Sequence, residues 1–317
     1  MIFYSKPIRR PSIQVFRLVL VFLTLAGAVS AQTPWPLNFT VAPAWFGPNA
    51  LPVPTLQNGL LEDYPNLELG TDAYLSPGDQ TRDLMSNLFI PVTRKRIGLN
   101  VYYIPFEHFR VDSMTNVLRN SMISEGTGTA AGDFHIGTFI QLIRDHHFLP
   151  DLLVTINLKT ASGTNLLAAR YTDSPGYYFD ISAGKTLIKG IWELRLYAMT
   201  GFYCYQTNLA NYPQNDAVMY GAGFTAGRNK YALSAQLTGY SGYLNNGDHP
   251  MVSRIILERK GEKGPGFRLQ WQAGLRDFAY QSFRFSVIWR IRKTGISQRW
   301  ISPENTFSAL PVSQISE

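Results

Sequence analysis

Residues 191–206, IWELRLYAMTGFYCYQ, alternate apolar and polar side chains along their whole length. One face of this stretch is apolar and has an aromatic ring at each end, Trp192 and Phe202, while the other face carries Glu193 and Arg195. Ten residue steps of about 3.3 Å in a strand tilted near 45° span roughly 23 Å, close to the apolar band of an outer membrane. The stretch therefore predicts a strand that crosses a membrane, with one face toward lipid.

The same period recurs downstream and upstream, without an intervening linker, from about residue 66 to residue 292. It predicts twelve strands near residues 66–75, 83–92, 97–107, 132–143, 152–160, 176–188, 191–206, 216–228, 231–243, 251–260, 266–277 and 280–292. Tight turns and longer loops mostly alternate between them, as in antiparallel up-and-down transmembrane β-barrels. An even strand number places both chain ends in the periplasm.

The amino terminus predicts export. Four basic residues and no acid precede an apolar run over residues 18–28, and small residues at 29–31 favour cleavage before Gln32. The sequence thus predicts a signal peptide over residues 1–31 and a location in the outer membrane of a Gram-negative bacterium. Cleavage lowers the net charge from +7 to about +3 (7 − 4), so nucleic acid is not an expected partner. Expected partners are outer-membrane lipid, a small solute and the barrel-assembly machinery. The single cysteine, Cys204, allows no disulfide within the chain.

Two segments lie outside the strand pattern. Residues 32–65 are rich in proline and aromatic residues, and proline cannot donate to a strand ladder. Two interpretations of this segment stay open, an extended periplasmic leader or a plug folded into the lumen. Residues 293–317 form a polar tail without a period, and the barrel itself is assigned to residues 66–292. The loop over residues 109–131 is a candidate constriction.

A first candidate site is a charged cluster near the outer mouth. Strand register predicts that Lys159 faces Asp133 and Asp180 inside the barrel, with His135 beside them. An ammonium between two carboxylates is a reasonable ion-pair cluster. It is either a structural brace across a polar lumen or part of a substrate site.

A second candidate site is a wall of arginines on the last three strands. The predicted inward residues are Arg254, Arg268, Arg276, Arg284, Arg290 and Arg292. Glu258, together with Glu68 and Asp72 on the first strand, neutralises only part of this charge. The surplus predicts attraction of anions into a water-filled passage. The alternative is that these arginines brace the lumen through carboxylates elsewhere, such as Glu193.

Lipid hydrolysis is the enzyme alternative, because some outer-membrane barrels are phospholipases with a histidine and a serine two residues apart on one face. None of the five histidines here has a serine two residues after it. Ser182 with His135 and Asp133 is the remaining combination, but it faces the lumen rather than lipid. The chain is therefore predicted not to be an enzyme, and no cofactor or metal site is predicted. His146 and His147 lie in a turn.

Three short motifs carry a resemblance to a known family. Gly132 and Asp133 begin one strand, KTASG at residues 159–163 ends the next, and DSPG at residues 173–176 leads into a third. This pattern, over residues 132–185, resembles outer-membrane channel proteins grouped with the phenol-degradation meta-pathway transporters. The resemblance implies passive uptake of small molecules and assigns no binding residue. The arginine wall separately resembles, in architecture, the arginine tracks of porins for acidic sugars.

Together these observations predict an outer-membrane channel for passive uptake of small anionic or aromatic solutes. The alternatives are a phospholipase-like lipid hydrolase and a non-transporting barrel with a binding or structural role.

Overall fold

The computed structural model describes residues 39–123, 126–261 and 264–291. The predicted signal peptide (1–31), the first part of the leader (32–38), Arg292 and the polar tail (293–317) lie outside these ranges. The strands are β1 (Asn66–Ser76), β2 (Asp79–Thr93), β3 (Ile97–Val111), β4 (Thr127–Ala130), β5 (His135–Ile143), β6 (Asp151–Lys159), β7 (Gly176–Ile188), β8 (Trp192–Leu209), β9 (Tyr212–Arg228), β10 (Tyr231–Ser241), β11 (Met251–Arg259), β12 (Gly266–Arg276) and β13 (Gln281–Arg290).

Twelve of these strands close into an antiparallel barrel. Each pairs with its neighbours in chain order, and β1 pairs with β13, so the wall has no free edge. β4 is an extra strand that pairs only with the outer part of β3. The predicted twelve-stranded β-barrel is confirmed.

The segment predicted as one long loop has structure of its own. It contains β4 and a short helix, α1 (Ser113–Leu118), whose amino end is capped by the Asp112 carboxylate accepting from Thr115 N at 2.7 Å. Among the described residues, no helix is long and apolar enough to cross a membrane.

The two faces of β8 show how the sequence produces an apolar exterior. Trp192 is 56% exposed and Phe202 42% exposed on the outer surface, whereas Tyr203 is 1% exposed inside the barrel. Since side chains alternate across a strand, the apolar row of residues 192–202 covers the outside and the tyrosines cover the lumen.

The two ends of the barrel differ in loop length, although two-residue turns also join β1 to β2 and β8 to β9 at the end that carries the longest loops. At the other end the turns β2–β3, β7–β8 and β9–β10 span three residues or fewer, and the chain enters β1 and leaves β13 there. We call it the inner end, because short turns face the periplasm in outer-membrane barrels. The opposite, outer end carries the loops between β3 and β5 and between β6 and β7.

Residues 39–65 run through the lumen from the outer end to the inner end, and we call them the strap. At the outer end Asn208 donates to Phe39 O at 2.6 Å. At the inner end Arg144 forms an ion pair with Asp63 at 3.2 Å, just before the chain enters β1 at Asn66. This is the position that the plug interpretation expects.

The strap and the inner wall share the main apolar core. Val41, Leu51, Val53 and Leu56 of the strap pack into one cluster with residues of the wall. The other residues in this cluster, on the wall strands and in the β12–β13 connection, are Tyr74, Tyr197, Met199, Tyr203, Tyr205, Ala217, Met219, Tyr240, Val252, Phe278 and Tyr280. The lumen is therefore packed with side chains along the strap.

Candidate functional site: the barrel lumen

Wall side chains capture the backbone of the strap. Arg254 on β11 donates to Val53 O at 2.7 Å and to Pro54 O at 3.2 Å. Tyr240 Oη donates to Leu51 O at 3.1 Å. A proline-rich peptide cannot join a ladder, so its buried carbonyls need individual donors, and these side chains supply them.

The inner part of the strap is held in the same way. Gln141 on β5 accepts from Leu61 N at 2.7 Å and donates to Gly59 O at 2.8 Å. Arg195 on β8 donates to Asn58 O at 2.9 Å and pairs with Asp151 at 2.8 Å. Apart from the Arg195–Asp151 pair within the wall, each of these contacts joins a wall side chain to the strap backbone, so the strap is a separate layer inside a complete wall.

A buried charge network closes the outer end, and we call Asp79, Glu107, Arg119, Arg170 and Tyr280 the mouth network. Arg170 donates to Asp79 and Glu107 at 2.7 and 2.8 Å. Arg119 pairs with the same Asp79 at 2.6 Å, and Tyr280 Oη lies 2.7 Å from that carboxylate. The side chains of Arg170, Asp79 and Glu107 are fully buried.

The mouth network joins two outer loops to the wall and the strap. Arg170 lies in the β6–β7 loop and Arg119 follows α1 in the β3–β5 loop, whereas Asp79 and Glu107 lie on β2 and β3. Asn49 of the strap donates to Glu107 at 2.9 Å. Although burial alone would lower the pKa of Arg170, the Glu107 and Asp79 carboxylates raise it above its ordinary value. The Arg170 guanidinium therefore stays charged and ties the β6–β7 loop to β2 and β3, while Arg119 ties the β3–β5 loop to the same Asp79.

The sequence-based site hypotheses missed the mouth network. Arg170 and Arg119 belong to loops, where strand periodicity gives no direction for a side chain. A partial signal was available, since alternation along β2 and β3 turns Asp79 and Glu107 toward the lumen.

The predicted lumen cluster is divided in the structure. Lys159 pairs with Asp133 at 2.7 Å, and both side chains are fully buried. Burial raises the pKa of the Asp133 carboxyl, and the Lys159 ammonium opposes that rise. His135 lies edge-on to Tyr102 and opposite Lys159 in the register. Asp180 lies four residues further along its strand than Gly176, the residue opposite Lys159.

The contacts made by Lys159 suit a brace. Its Nζ also donates to Ser174 O at 2.8 Å and to Thr172 at 3.2 Å, so this ammonium fixes the end of the β6–β7 loop. Asp180 instead accepts from Ser182 at 2.8 Å. Because Ser182 lies opposite Leu153 whereas His135 lies opposite Lys159, Ser182, His135 and Asp133 are not assembled as a catalytic group.

Three of the predicted arginines face the lumen and have partners there. Arg268 pairs with Glu68 at 2.7 Å and with Glu258 at 2.9 Å, and Arg284 pairs with Asp72 at 2.9 Å. Arg254 holds the strap, as described above. These arginines therefore do not line an open passage in this structure.

The other predicted arginines lie at the barrel ends. Arg276 is exposed at the outer end of β12, and Arg290 is exposed at the inner end of β13. Arg284 lies opposite Gln270 in the register, so it is not a cross-strand neighbour of Arg276.

The described residues hold no group of three or more histidine, cysteine, aspartate or glutamate side chains that could bind a metal ion. His146 accepts from the backbone of Leu149 at 3.0 Å within its own turn. Cys204 is buried on β8.

The comparisons with known proteins bear on the fold alone. No family model matches the chain, and no curated protein does. Among solved structures, the COG4313 outer membrane channel from Pseudomonas putida aligns with a TM-score of 0.51 and 12% identity, over 74% of this chain and 98% of that chain. The KdgM porin aligns at 0.41 and 9% identity, over 71% and 99%. The CymD monoaromatic hydrocarbon channel aligns at 0.36 and 7%, over 72% and 88%.

Proposed function

We propose that this chain is an outer-membrane channel for small solutes, and that the strap closes its pore in the structure described here. The observation that carries the proposal is that the wall closes by its own strand pairing while the lumen is occupied by a separate peptide. Removing the strap from the lumen would leave a complete polar and aromatic cylinder. The apolar exterior of the wall supports a position in the outer membrane.

The contacts of the strap suit reversible displacement. Apart from its continuation into β1, it is held by side-chain and backbone hydrogen bonds, by the Arg144–Asp63 ion pair and by apolar packing, with no strand pairing to the wall. Each hydrogen bond contributes about 0.5 to 1.5 kcal/mol net, because water replaces the lost partner when the contact opens. The strap therefore leaves the lumen without breaking the wall.

The lumen surface beneath the strap supports small aromatic acids as solutes. Displacement would uncover the rings of Tyr203 and Tyr240, which lie edge to face at 5.1 Å. It would also free the Arg254 guanidinium from the carbonyls of Val53 and Pro54. An aromatic surface beside an unpaired guanidinium favours a ring that carries a carboxylate.

The test of gating is conductance in planar bilayers. Leu51→Asp places a charge at a strap position that is 2% exposed and is expected to displace the strap. Thr55→Asp adds the same charge at an exposed position of the same strap and is the matched control. We expect frequent openings for Leu51→Asp and rare openings for Thr55→Asp and the unmodified chain.

The test of solute class uses the opened barrel. In the Leu51→Asp background, Arg254→Gln is expected to slow benzoate entry into liposomes and to leave benzyl alcohol entry unchanged. Equal slowing of both solutes would remove the role of Arg254.

The second candidate is a sealed barrel with a structural role, favoured by the close packing of strap and wall. It predicts no conductance at any voltage for Leu51→Asp inserted as a folded barrel, an outcome that would end the channel proposal.

A further inference from the structure

A groove of about 440 Å³ crosses the outward face of the barrel from β11 to β2. Thr71 and Ala73 of β1 are among its lining residues, next to Phe283 and Phe285 of β13. Two small side chains beside large aromatic ones leave a channel along the surface. Its lining is mainly apolar, and it lies on the face that the alternation of side chains turns toward lipid.

One row of the register gives the direction of the groove. Ile255, Trp271, Phe283, Ala73 and Arg82 lie side by side across five neighbouring strands. Four strand spacings of about 4.8 Å make this row roughly 19 Å long. The groove is therefore long and narrow, with dimensions that suit an extended hydrocarbon chain.

The row rises toward the outer end of the barrel. Arg82 lies three residues from Asp79, where β2 begins at the outer end. Ile255 lies at the middle of β11, four residues from each of its ends. The groove thus begins among apolar residues and finishes at a guanidinium near the outer mouth.

Basic side chains surround that outer end. Arg82 and His108 lie opposite each other on β2 and β3, and Arg110 lies one outward position further along β3. All three are exposed. Among the described residues, no carboxylate forms an ion pair with Arg82, so its charge is open to a ligand.

We propose that this groove is a binding site for an acylated, phosphorylated lipid of the outer leaflet. An acyl chain lies along the groove against Thr71, Ala73 and Phe283, and a phosphate of the headgroup accepts hydrogen bonds from Arg82, with Arg110 nearby. A guanidinium matches phosphate oxygens in geometry and charge. The site faces the membrane and is separate from the lumen, so it does not depend on solute passage.

The test is native mass spectrometry of the purified full-length barrel with diphosphoryl lipid A in detergent. Arg82→Gln removes the charge, and Ala73→Trp fills the groove. The matched controls are Arg228→Gln, an exposed arginine at the inner end of β9, and Ala198→Trp, an exposed alanine on β8. All variants are first checked for folding by the difference in gel mobility between boiled and unboiled samples.

We expect a one-to-one lipid complex for the unmodified barrel and both controls. Arg82→Gln and Ala73→Trp should each weaken it about tenfold or more, the loss that accompanies one charge-assisted interaction. Lipid A without phosphates should bind as weakly to the unmodified barrel as diphosphoryl lipid A binds to Arg82→Gln.

Three results would overturn the proposal. They are equal binding by all variants, equal binding of lipid A with and without phosphates, and displacement of the lipid by millimolar inorganic phosphate alone, which would indicate a simple anion site.

Discussion

The mouth network and the arginines of β12 and β13 are both sets of charges inside one barrel, but they differ in burial and in what they connect. Arg170 is fully buried and joins a loop to two strands, with the strap at the same carboxylate. Arg268 of β12 is 28% exposed and pairs with Glu258 on the adjacent β11 and with Glu68 on β1, two strands away. The mouth charges therefore hold movable segments in place, whereas the wall charges pair within the wall.

This difference shows that the number of lumen arginines does not measure ion selectivity. In the wall, Arg268 and Arg284 are each matched by an acid on an adjacent strand, Glu258 and Asp72. At the mouth, Arg170 and Arg119 share Asp79. The role of a lumen charge depends on where its partner lies. A partner on another wall strand stabilises the wall, whereas a partner on the strap or an outer loop holds that segment against the wall.

The largest effect is expected for Arg170→Met. The substitution leaves Asp79 with one fewer cation and Glu107 buried without one, and breaking a buried pair by removing one partner costs about 3 to 5 kcal/mol. We expect a lower free energy of unfolding in urea titrations of the detergent-solubilised barrel, and faster proteolysis of the β6–β7 loop. The control is Arg276→Met at an exposed position. Equal stability of Arg170→Met and Arg276→Met would show that the mouth network does not stabilise the barrel more than an exposed arginine does.

A smaller effect is expected for Lys159→Met, which leaves the Asp133 carboxylate buried. This carboxylate keeps backbone donors, among them Gly163 N at 2.6 Å, so we expect a loss of about 2 to 3 kcal/mol in the same titration. Adding Asp133→Asn should restore part of the stability, because the unpaired charge is then gone. If the double variant is less stable than Lys159→Met, the two residues do not act as a pair.

The smallest effect is expected for Arg268→Gln. Arg268 and Glu258 are partly exposed, and the buried Glu68 keeps the Ser286 hydroxyl as a donor, so the loss should be about 1 kcal/mol. The unfolding midpoint in urea should shift little, and raising the salt concentration should remove the remaining difference. A loss as large as that of Arg170→Met would show that the wall charges also act as a lock.

The sequence predicted the wall well, because membrane-crossing strands must alternate apolar and lumen-facing residues along their length. Trp192 and Phe202 marked the apolar row of β8, and both are exposed outward. β4 was missed, since its four residues, TGTA, carry no apolar period.

The lumen contents were far less predictable. A proline-rich segment has no period, so the path of the strap depends on which wall side chains capture its carbonyls. Arg170 meets Asp79 and Glu107 across 91 and 63 residues of chain, and no local pattern encodes that meeting. The contact between Lys159 and Asp133 was easier to predict. Lys159 ends β6 and Asp133 precedes β5, and the turn between these strands fixes their register.

The most direct test of strap gating is bilayer conductance with the strap locked by a disulfide. A Cβ built at Gly221 lies 3.3 Å from Leu56 Cδ1, so these positions of strap and wall are in contact, and Leu56→Cys with Gly221→Cys in a Cys204→Ser and Leu51→Asp chain is used once its disulfide is verified by mass spectrometry. We expect a closed barrel when the disulfide is oxidised and frequent openings after reduction. Equal conductance in the oxidised and reduced states would contradict the account.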